Sequence, residues 1–298
     1  MFSLDNAGAS LRSVCDAVGT GLLSPQVAAA RALVAGGSVN DAIDLIDAAP
    51  PGGGAQSAIV SVLREHRSKC DGMAAFYHAR GPLLPAGLEE ETVLATGRFF
   101  DDALRISPHA SVALYSLGNP ALLQRATDEV VEYMRAAHLL GSRKRTLELG
   151  CGSGRMQFAL APHVMEAAGA DISAAMIAAA QKRRGPLTNV RFFHAPAHRV
   201  AAVRDAQYDL VFAVDSFPYI VNAGPTMVAA TFAEIRRVLS PTGQVFIFNY
   251  SYRGSENRDM ADVADYARAV GLELVSFAAH AFREWDGSVF QLRVAKPS

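Results

Sequence analysis

Three glycines at alternate positions follow an acidic residue in the segment 148–154, and this spacing suits a ligand bound against the backbone. The preceding run, 145–149, predicts a short buried strand, and a helix is predicted from about Ser153. Glycine tolerates positive φ and has no Cβ, so a ligand can lie close to such a turn. The free N–H groups at the start of the helix favour a carboxylate or a phosphate. The alternative is a tight strand–helix turn that binds nothing.

A second acidic residue, Asp171, follows the glycines by about 20 residues, at the predicted end of the next strand. A carboxylate in this position suits the two hydroxyl donors of a ribose, as in dinucleotide-binding enzymes. However, the dinucleotide fingerprint G-x-G-x-x-G/A fails here, because its sixth position is Arg155 or Gln157. Asp171 could instead be a helix N-cap, a role for which Ser173 competes.

The spacing E-x-G-x-G-x-G, from Glu148 to Gly154, resembles motif I of the class I S-adenosylmethionine-dependent methyltransferases. The stretch Asp171-Ile172-Ser173-Ala174-Ala175-Met176 resembles the pattern of that family after its second strand. The resemblance covers about residues 113–298 and implies S-adenosylmethionine as cofactor, with S-adenosylhomocysteine as product. The cofactor-binding residues that it implies are Tyr115, Glu148, Gly150, Cys151, Gly152, Gly154, Asp171, Ile172, Met176, Pro196, Ala197, Asp215 and Ser216.

The third strand departs from the family pattern. The family usually has an acidic residue after this strand that binds the adenine amino group. Here the matching run, 193–198, contains no carboxylate. A backbone carbonyl or His198 would have to make that contact, which places the adenine contact in doubt.

The chain from Thr146 onward alternates strands and helices, which predicts βαβ units and a parallel sheet. The last two strands have a short connection, so they should be antiparallel. The expected fold is α/β: a seven-stranded Rossmann-like methyltransferase sheet after an all-helical N-terminal domain. The domains are predicted as 1–108, for capping or oligomerisation, and 109–298, for cofactor binding and methyl transfer. The predicted strands are 145–149, 167–171, 190–194, 208–214, 243–250, 272–279 and 288–295.

The resemblance implies methyl transfer to an O or N atom of a small molecule, such as a secondary metabolite. Such a reaction is a displacement at the sulfonium methyl, so the protein mainly aligns the acceptor and excludes water. A base is needed only where the acceptor must lose a proton. Tyr219 and Asp215 are the predicted catalytic residues, mainly for positioning, with Tyr250 and His109 as other candidates for a base. The predicted acceptor-binding residues are Tyr219, Tyr250 and Tyr252.

Composition limits the other function classes. The net charge of −1 gives no global attraction to nucleic acid, and half of the 298 residues are hydrophobic, which allows a sizeable core. Three widely spaced cysteines predict reduced thiols in a cytoplasm, with no metal site. No signal peptide or membrane span is expected, and the N-terminal helices make a homodimer plausible. Two alternatives remain open: transfer of the cofactor's aminocarboxypropyl arm, and cofactor binding without catalysis.

Overall fold

The computed structural model describes residues 4–48, 54–80 and 88–296, and the side chains of residues 11–48, 54–77 and 88–296. The chain divides into two compact units. One comprises Met1–Leu84, Asp102–Glu129 and His280–Asp286, and the other comprises Pro85–Asp101, Val130–Ala279 and Gly287–Ser298. The predicted boundary between residues 108 and 109 remains a prediction.

Twelve α-helices and seven strands are formed by the described residues. The helices are α1 Leu4–Gly19, α2 Pro25–Gly36, α3 Val39–Ala48, α4 Ala55–Glu65, α5 Arg67–Arg80, α6 Glu89–Ile106, α7 Pro120–Ala136, α8 Arg155–Leu160, α9 Ala174–Arg183, α10 Phe217–Ala223, α11 Pro225–Val238 and α12 Glu256–Ala269. The strands are β1 Gly141–Leu149, β2 Val164–Asp171, β3 Val190–His194, β4 Tyr208–Val214, β5 Leu239–Phe248, β6 Leu272–Ala278 and β7 Val289–Val294.

The seven strands form one mixed sheet in the order β3-β2-β1-β4-β5-β7-β6. Six strands are parallel, and β7 runs antiparallel to both β5 and β6. Residues 146–149 of β1 and 210–214 of β4 are buried without alternation, because helices cover both faces of a parallel sheet. The sheet and the helical segment α1–α6 before it confirm the predicted fold class.

The strand bounds differ from the predicted ones mainly at the amino ends of the strands. β1 and β5 begin four residues earlier than expected, at Gly141 and Leu239. The added residues of β5 include the segment Pro241-Thr242-Gly243. A register shift between Tyr208 and Leu210 of β4 accommodates them as a bulge.

The unit that contains the N-terminal helices also contains the segment between β6 and β7. Ser24 at the N-terminus of α2 donates to Glu284 Oε1 at 2.7 Å, and Gln26 donates to the other oxygen of the same carboxylate. Arg31 of α2 donates to Asp286 at 2.8 Å through Nε. These carboxylates attach the β6–β7 segment to α2 within this unit.

In the unit that contains the sheet, α11 is attached through the buried carboxylate of Glu234. Its Oε1 accepts from Val200 N at 2.7 Å and from Arg237 Nη2 at 2.6 Å. Burial acts to raise the pKa of Glu234, but the hydrogen bonds from Arg237 and Val200 outweigh burial and lower it. The charged form of Glu234 is therefore the form that stabilises the fold.

Glu234→Gln should lower the free energy of unfolding at pH 7 by about 1–3 kcal/mol, since a charge-assisted bond is lost inside the fold. Because the folded-state pKa is lowered, this contribution is complete above the ordinary glutamate pKa and is lost progressively as the pH falls from there through the lower folded-state pKa. Urea unfolding of both proteins at pH 7 and pH 4 measures the difference. A difference that stays constant between the two pH values would contradict a stabilising carboxylate.

Candidate active site

The glycine turn after β1 has all three glycines at positive φ, with values of 77° at Gly150, 53° at Gly152 and 82° at Gly154. Two of the glycines are required by the protein's own packing. A Cβ at Gly150 would lie 2.3 Å from Ser216 Cβ, and a Cβ at Gly154 would lie 2.6 Å from the ring of Phe192. Gly150 and Gly152 are partly exposed, and Gly154 is buried.

The helix that follows the turn is short. It begins at Arg155 rather than near Ser153, ends at Leu160, and has Gly154 as its N-cap residue. A helix of six residues adds little macrodipole, so the expected attraction of an anion to its N-terminus is weak. The turn itself, rather than the helix, is the distinctive feature of this site.

Asp171 at the end of β2 connects this turn to the next helix. Its Oδ2 accepts from Gly152 N at 2.7 Å, and its Oδ1 accepts from Ser173 N at 2.8 Å. Burial raises the pKa of Asp171, and the two backbone donors oppose that shift. Ser173, not Asp171, is the N-cap of α9, since its hydroxyl accepts from Met176 N at 3.0 Å. The side chain of Asp171 is thus directed to the glycine turn.

Glu148 lies beneath the turn, with 2% of its surface exposed. Its Oε2 accepts from Gln157 Nε2 at 2.8 Å, and burial raises its pKa to about 8. Cys151 is also buried, and its pKa is raised well above the ordinary value, chiefly by burial. A thiol in this state is not nucleophilic, which agrees with a packing role for Cys151.

The predicted adenine side lies at the ends of β2 and β3. Ile172 is partly exposed and Met176 is buried. The run 193–198 is joined to β2 through the backbone: Ala195 N donates to Asp171 O at 2.9 Å, and a ring nitrogen of His194 lies 3.0 Å from Ile172 O. Pro196, Ala197 and His198 are partly exposed beside this edge.

Asp215 is at the carboxyl end of β4 and has a φ of 58°, which is unusual for a residue other than glycine. Its Oδ1 accepts from Asn249 Nδ2 at 2.7 Å and from Tyr252 Oη at 2.9 Å. The next residue, Ser216, donates to Leu149 O at 2.6 Å. The ends of β1, β4 and β5 are therefore joined by side-chain hydrogen bonds at one edge of the sheet, where ligands bind in open α/β sheets.

Three half-buried aromatic rings line this edge. Tyr219 packs edge-to-face with Phe100 at 4.9 Å and with Tyr252 at 6.0 Å between ring centroids. Tyr250 lies elsewhere: it is 1% exposed and stacks on Phe217 at 5.5 Å within the hydrophobic core. In this arrangement Tyr250 packs the core, and its predicted contact with the acceptor remains a prediction.

The family model described as "Methyltransferase domain" matches residues 147–247, which run from β1 to β5. A yeast protein (Saccharomyces cerevisiae) named "Probable S-adenosylmethionine-dependent methyltransferase CRG1" is 26% identical over 107 residues, which cover 35% of each chain. A Bacillus subtilis protein named as a methyltransferase, YqeM, is 26% identical over 174 residues, covering 55% of this chain and 68% of that protein.

The match of residues 147–247, called the methyltransferase domain below, confirms the predicted methyltransferase family and the predicted S-adenosylmethionine cofactor. The chain spans about a third of the length of the yeast protein. The solved structure of the [4+2]-cyclase SpnF has a TM-score of 0.52 and 18% identity, covering 69% of this chain and 97% of that one. This likeness shows the fold alone.

Helix α6 contributes contacts to the methyltransferase domain that the sequence did not reveal. Asp101 Oδ1 accepts from Ser173 Oγ at 2.6 Å and from Ala175 N at 3.1 Å, at the start of α9. A Cβ at Gly97 would lie 3.3 Å from Ile172, so this part of α6 lies close to the predicted adenine side. No sequence motif marks Asp101 or Gly97. The one sequence feature that could have indicated a close contact here is Gly97, a glycine in the middle of a helix.

At its amino end, α6 is attached to the start of α11. Glu89 Oε2 accepts from Met227 N at 3.0 Å, while a Cβ at Gly224 would lie 2.3 Å from Glu89 Oε1. With Asp101, this carboxylate binds α6 to the N-termini of two helices of the methyltransferase domain. Residues 89–101 therefore cover part of the edge at which β2 and β4 end.

Two predicted residues belong to the other unit. Tyr115 is buried and stacks on Trp285 at 5.8 Å, and His109 lies in the segment Asp102–Glu129 of the same unit. Their proposed contacts with the cofactor and the acceptor remain predictions.

The described part of the chain has no cluster of three or more His, Cys, Asp or Glu side chains placed to hold a metal ion. Within the same residues, no helix has both the length and the apolar character needed to cross a membrane.

Gly154→Ala should destabilise the methyltransferase domain more than Gly271→Ala does. Both residues have positive φ, at 82° and 73°, so each substitution has a similar backbone cost of about 1–2 kcal/mol. Only Gly154 also has the Phe192 ring 2.6 Å from the position of the added Cβ, whereas nothing lies within 4 Å at Gly271. Midpoints of urea unfolding compare the two, and equal losses would exclude a packing role for Gly154.

Proposed function

We propose that the protein transfers the methyl group of S-adenosylmethionine to an O or N atom of a small molecule. The observation that carries this proposal is the position of the Asp171 carboxylate, hydrogen-bonded to both the glycine turn and the start of α9. A carboxylate has about four acceptor positions, and the two backbone donors use two of them. The remaining two fit the two hydroxyls of the cofactor ribose.

The residues around Asp171 fit the rest of the cofactor. Gly152, with positive φ and partial exposure, allows the methionine part to lie against the turn. Ile172 offers apolar surface to the adenine, and Pro196 and Ala197 offer more from the β3 edge. Met176 is buried, so its contact with the adenine remains a prediction. Since the run 193–198 has no carboxylate, the adenine amino group is expected to meet a backbone carbonyl or His198. The bound cofactor supplies an activated methyl group on a sulfonium.

The chain's own task is then to hold the acceptor in line and to exclude water. Tyr219, Tyr252 and Phe100 form the aromatic wall that we assign to this role, and Asp215 fixes the hydroxyl of Tyr252. For an acceptor that must lose a proton, the Tyr252–Asp215 hydrogen bond provides a path to a carboxylate. An acceptor with a free amine lone pair needs no such path.

The assembly and the location of the protein are part of the same proposal. We expect a cytoplasmic enzyme whose partner is the small acceptor rather than nucleic acid, and whose N-terminal helices form a homodimer contact. Size-exclusion chromatography with light scattering tests the dimer.

A product assay separates methyl transfer from its alternatives. Incubation with S-adenosylmethionine and a metabolite extract should give S-adenosylhomocysteine by mass spectrometry, and Asp171→Ala should reduce it at least tenfold, because the ribose contact is lost. Methylthioadenosine instead would show aminocarboxypropyl transfer. Measurable cofactor binding without either product would favour a binding protein, a use that the fold permits.

Tyr252→Phe should lower kcat with an acceptor identified in that assay by about 10–100-fold, if its hydroxyl and Asp215 take part in proton removal. The dissociation constant for S-adenosylhomocysteine should change less than twofold, because the ring remains. Tyr266→Phe is the matched control, since Tyr266 stacks on Phe232. An unchanged kcat in Tyr252→Phe would restrict Tyr252 to shaping the pocket.

A further inference from the structure

One buried polar atom near the cofactor site lacks a hydrogen-bond partner. Gln157 is fully buried, and its Oε1 has no partner, whereas its Nε2 donates to Glu148 Oε2 at 2.8 Å and to Ala168 O at 3.2 Å. A buried carbonyl oxygen without a donor carries a desolvation cost that native proteins rarely leave uncompensated. The group facing this amide is a carboxyl, which can supply a donor only when it is protonated.

We infer that Glu148 is a neutral carboxylic acid in the free protein, that it donates its proton to Gln157 Oε1, and that it releases this proton when the cofactor's ammonium group binds nearby. An acid and a primary amide form a paired arrangement in which the amide N–H is donated to the acid carbonyl and the acid O–H to the amide carbonyl. The observed bond from Nε2 to Oε2 is one half of this pair. A proton on Glu148 Oε1 completes the pair, because it is donated to Gln157 Oε1, the oxygen that otherwise has no partner.

The sheet provides a specific space for this pair. Glu148 of β1 is in register with Gly169 of β2, and a Cβ at Gly169 would lie 2.9 Å from Gln157 Cδ and 2.7 Å from Cys151 Sγ. Any side chain at position 169 would therefore displace the amide from its place above the sheet. Glu148, Gly169 and Gln157 form one packed group that depends on all three residues.

The charges around Glu148 are consistent with a proton that is held but can be released. Burial is the largest influence and favours the neutral acid, and the negative charge of Asp171 adds to it. Arg155 at the start of α8 and the hydrogen bond from Gln157 act in the opposite direction. Buried Cys151 is neutral and adds no charge. An incoming ammonium group would add a second positive charge to that of Arg155 and shift the balance towards the carboxylate.

The first test concerns the protein without cofactor and does not depend on the proposed function. Glu148→Gln keeps one donor and one acceptor facing Gln157 but cannot titrate. Because the folded-state pKa of Glu148 is raised to about 8, its contribution to stability is complete below the ordinary glutamate pKa and is lost as the pH rises through about 8. The unfolding constant of the wild type, divided by that of Glu148→Gln, should rise by up to about tenfold per pH unit between pH 5 and 7.5.

The control for this test is Glu132→Gln, whose side chain is 65% exposed and pairs with Arg135 on the surface of α7. The unfolding constant of the wild type, divided by that of Glu132→Gln, should change little between pH 5 and 7.5. A flat ratio for Glu148→Gln would overturn the inference. If Glu148→Gln does not fold, infrared spectroscopy of the wild type replaces the comparison. The carbonyl band of a protonated carboxyl should be present at pH 7 and lost above pH 9. Absence of this band at pH 7 would overturn the inference.

The release step rests on the proposed function and has its own measurement. Titration calorimetry with S-adenosylhomocysteine, in two buffers of different ionisation enthalpy at pH 7, should show release of nearly one proton from the wild type and none from Glu148→Gln. Equal proton release in the two proteins would refute the coupling to Glu148. Absence of binding to the wild type would refute both the cofactor site and the release step, while the unfolding measurement would still decide whether the neutral acid–amide pair exists.

Discussion

The carboxylate of Asp171 connects the parts from which the proposed cofactor site is built. It accepts one backbone N–H from the glycine turn after β1 and another from the start of α9, so two consecutive βα connections are joined by a single side chain. The connection is possible because β1 and β2 are adjacent and parallel, which brings their carboxyl ends to the same edge of the sheet.

Helix α6 precedes the methyltransferase domain in the chain and contacts the same edge of the sheet. Two of its carboxylates, those of Glu89 and Asp101, accept from the N-termini of α11 and α9, where the helix dipole and the unsatisfied N–H groups favour negative charge. Between them, Gly97 lies against Ile172 and Phe100 packs on Tyr219. One helix thus touches both the predicted cofactor side and the aromatic wall that we assign to the acceptor.

The acidic residues of the domain differ in charge state because their burial and their hydrogen-bond partners differ. Glu234 keeps its charge because Arg237 and a backbone N–H compensate for its burial. Glu148 accepts its hydrogen bond from the neutral amide of Gln157, and burial favours the neutral acid. Asp215 and Tyr252, at the partly exposed edge, are held by hydrogen bonds among side chains. Glutamate therefore stabilises the fold as a carboxylate at Glu234 and holds a proton at Glu148.

The sequence by itself indicated the family and the cofactor, and it predicted the succession of seven strands along the chain. These are local properties, since the glycine spacing from Gly150 to Gly154 and the alternation of strands and helices can be read along the chain. Tertiary structure decided what depends on residues far apart in sequence. It placed Tyr250 in the core, gave Gly150 and Gly154 their packing neighbours, and brought Asp101 to Ser173 across 72 positions. No periodicity or spacing encodes such contacts, because they depend on which elements meet when the apolar faces are buried.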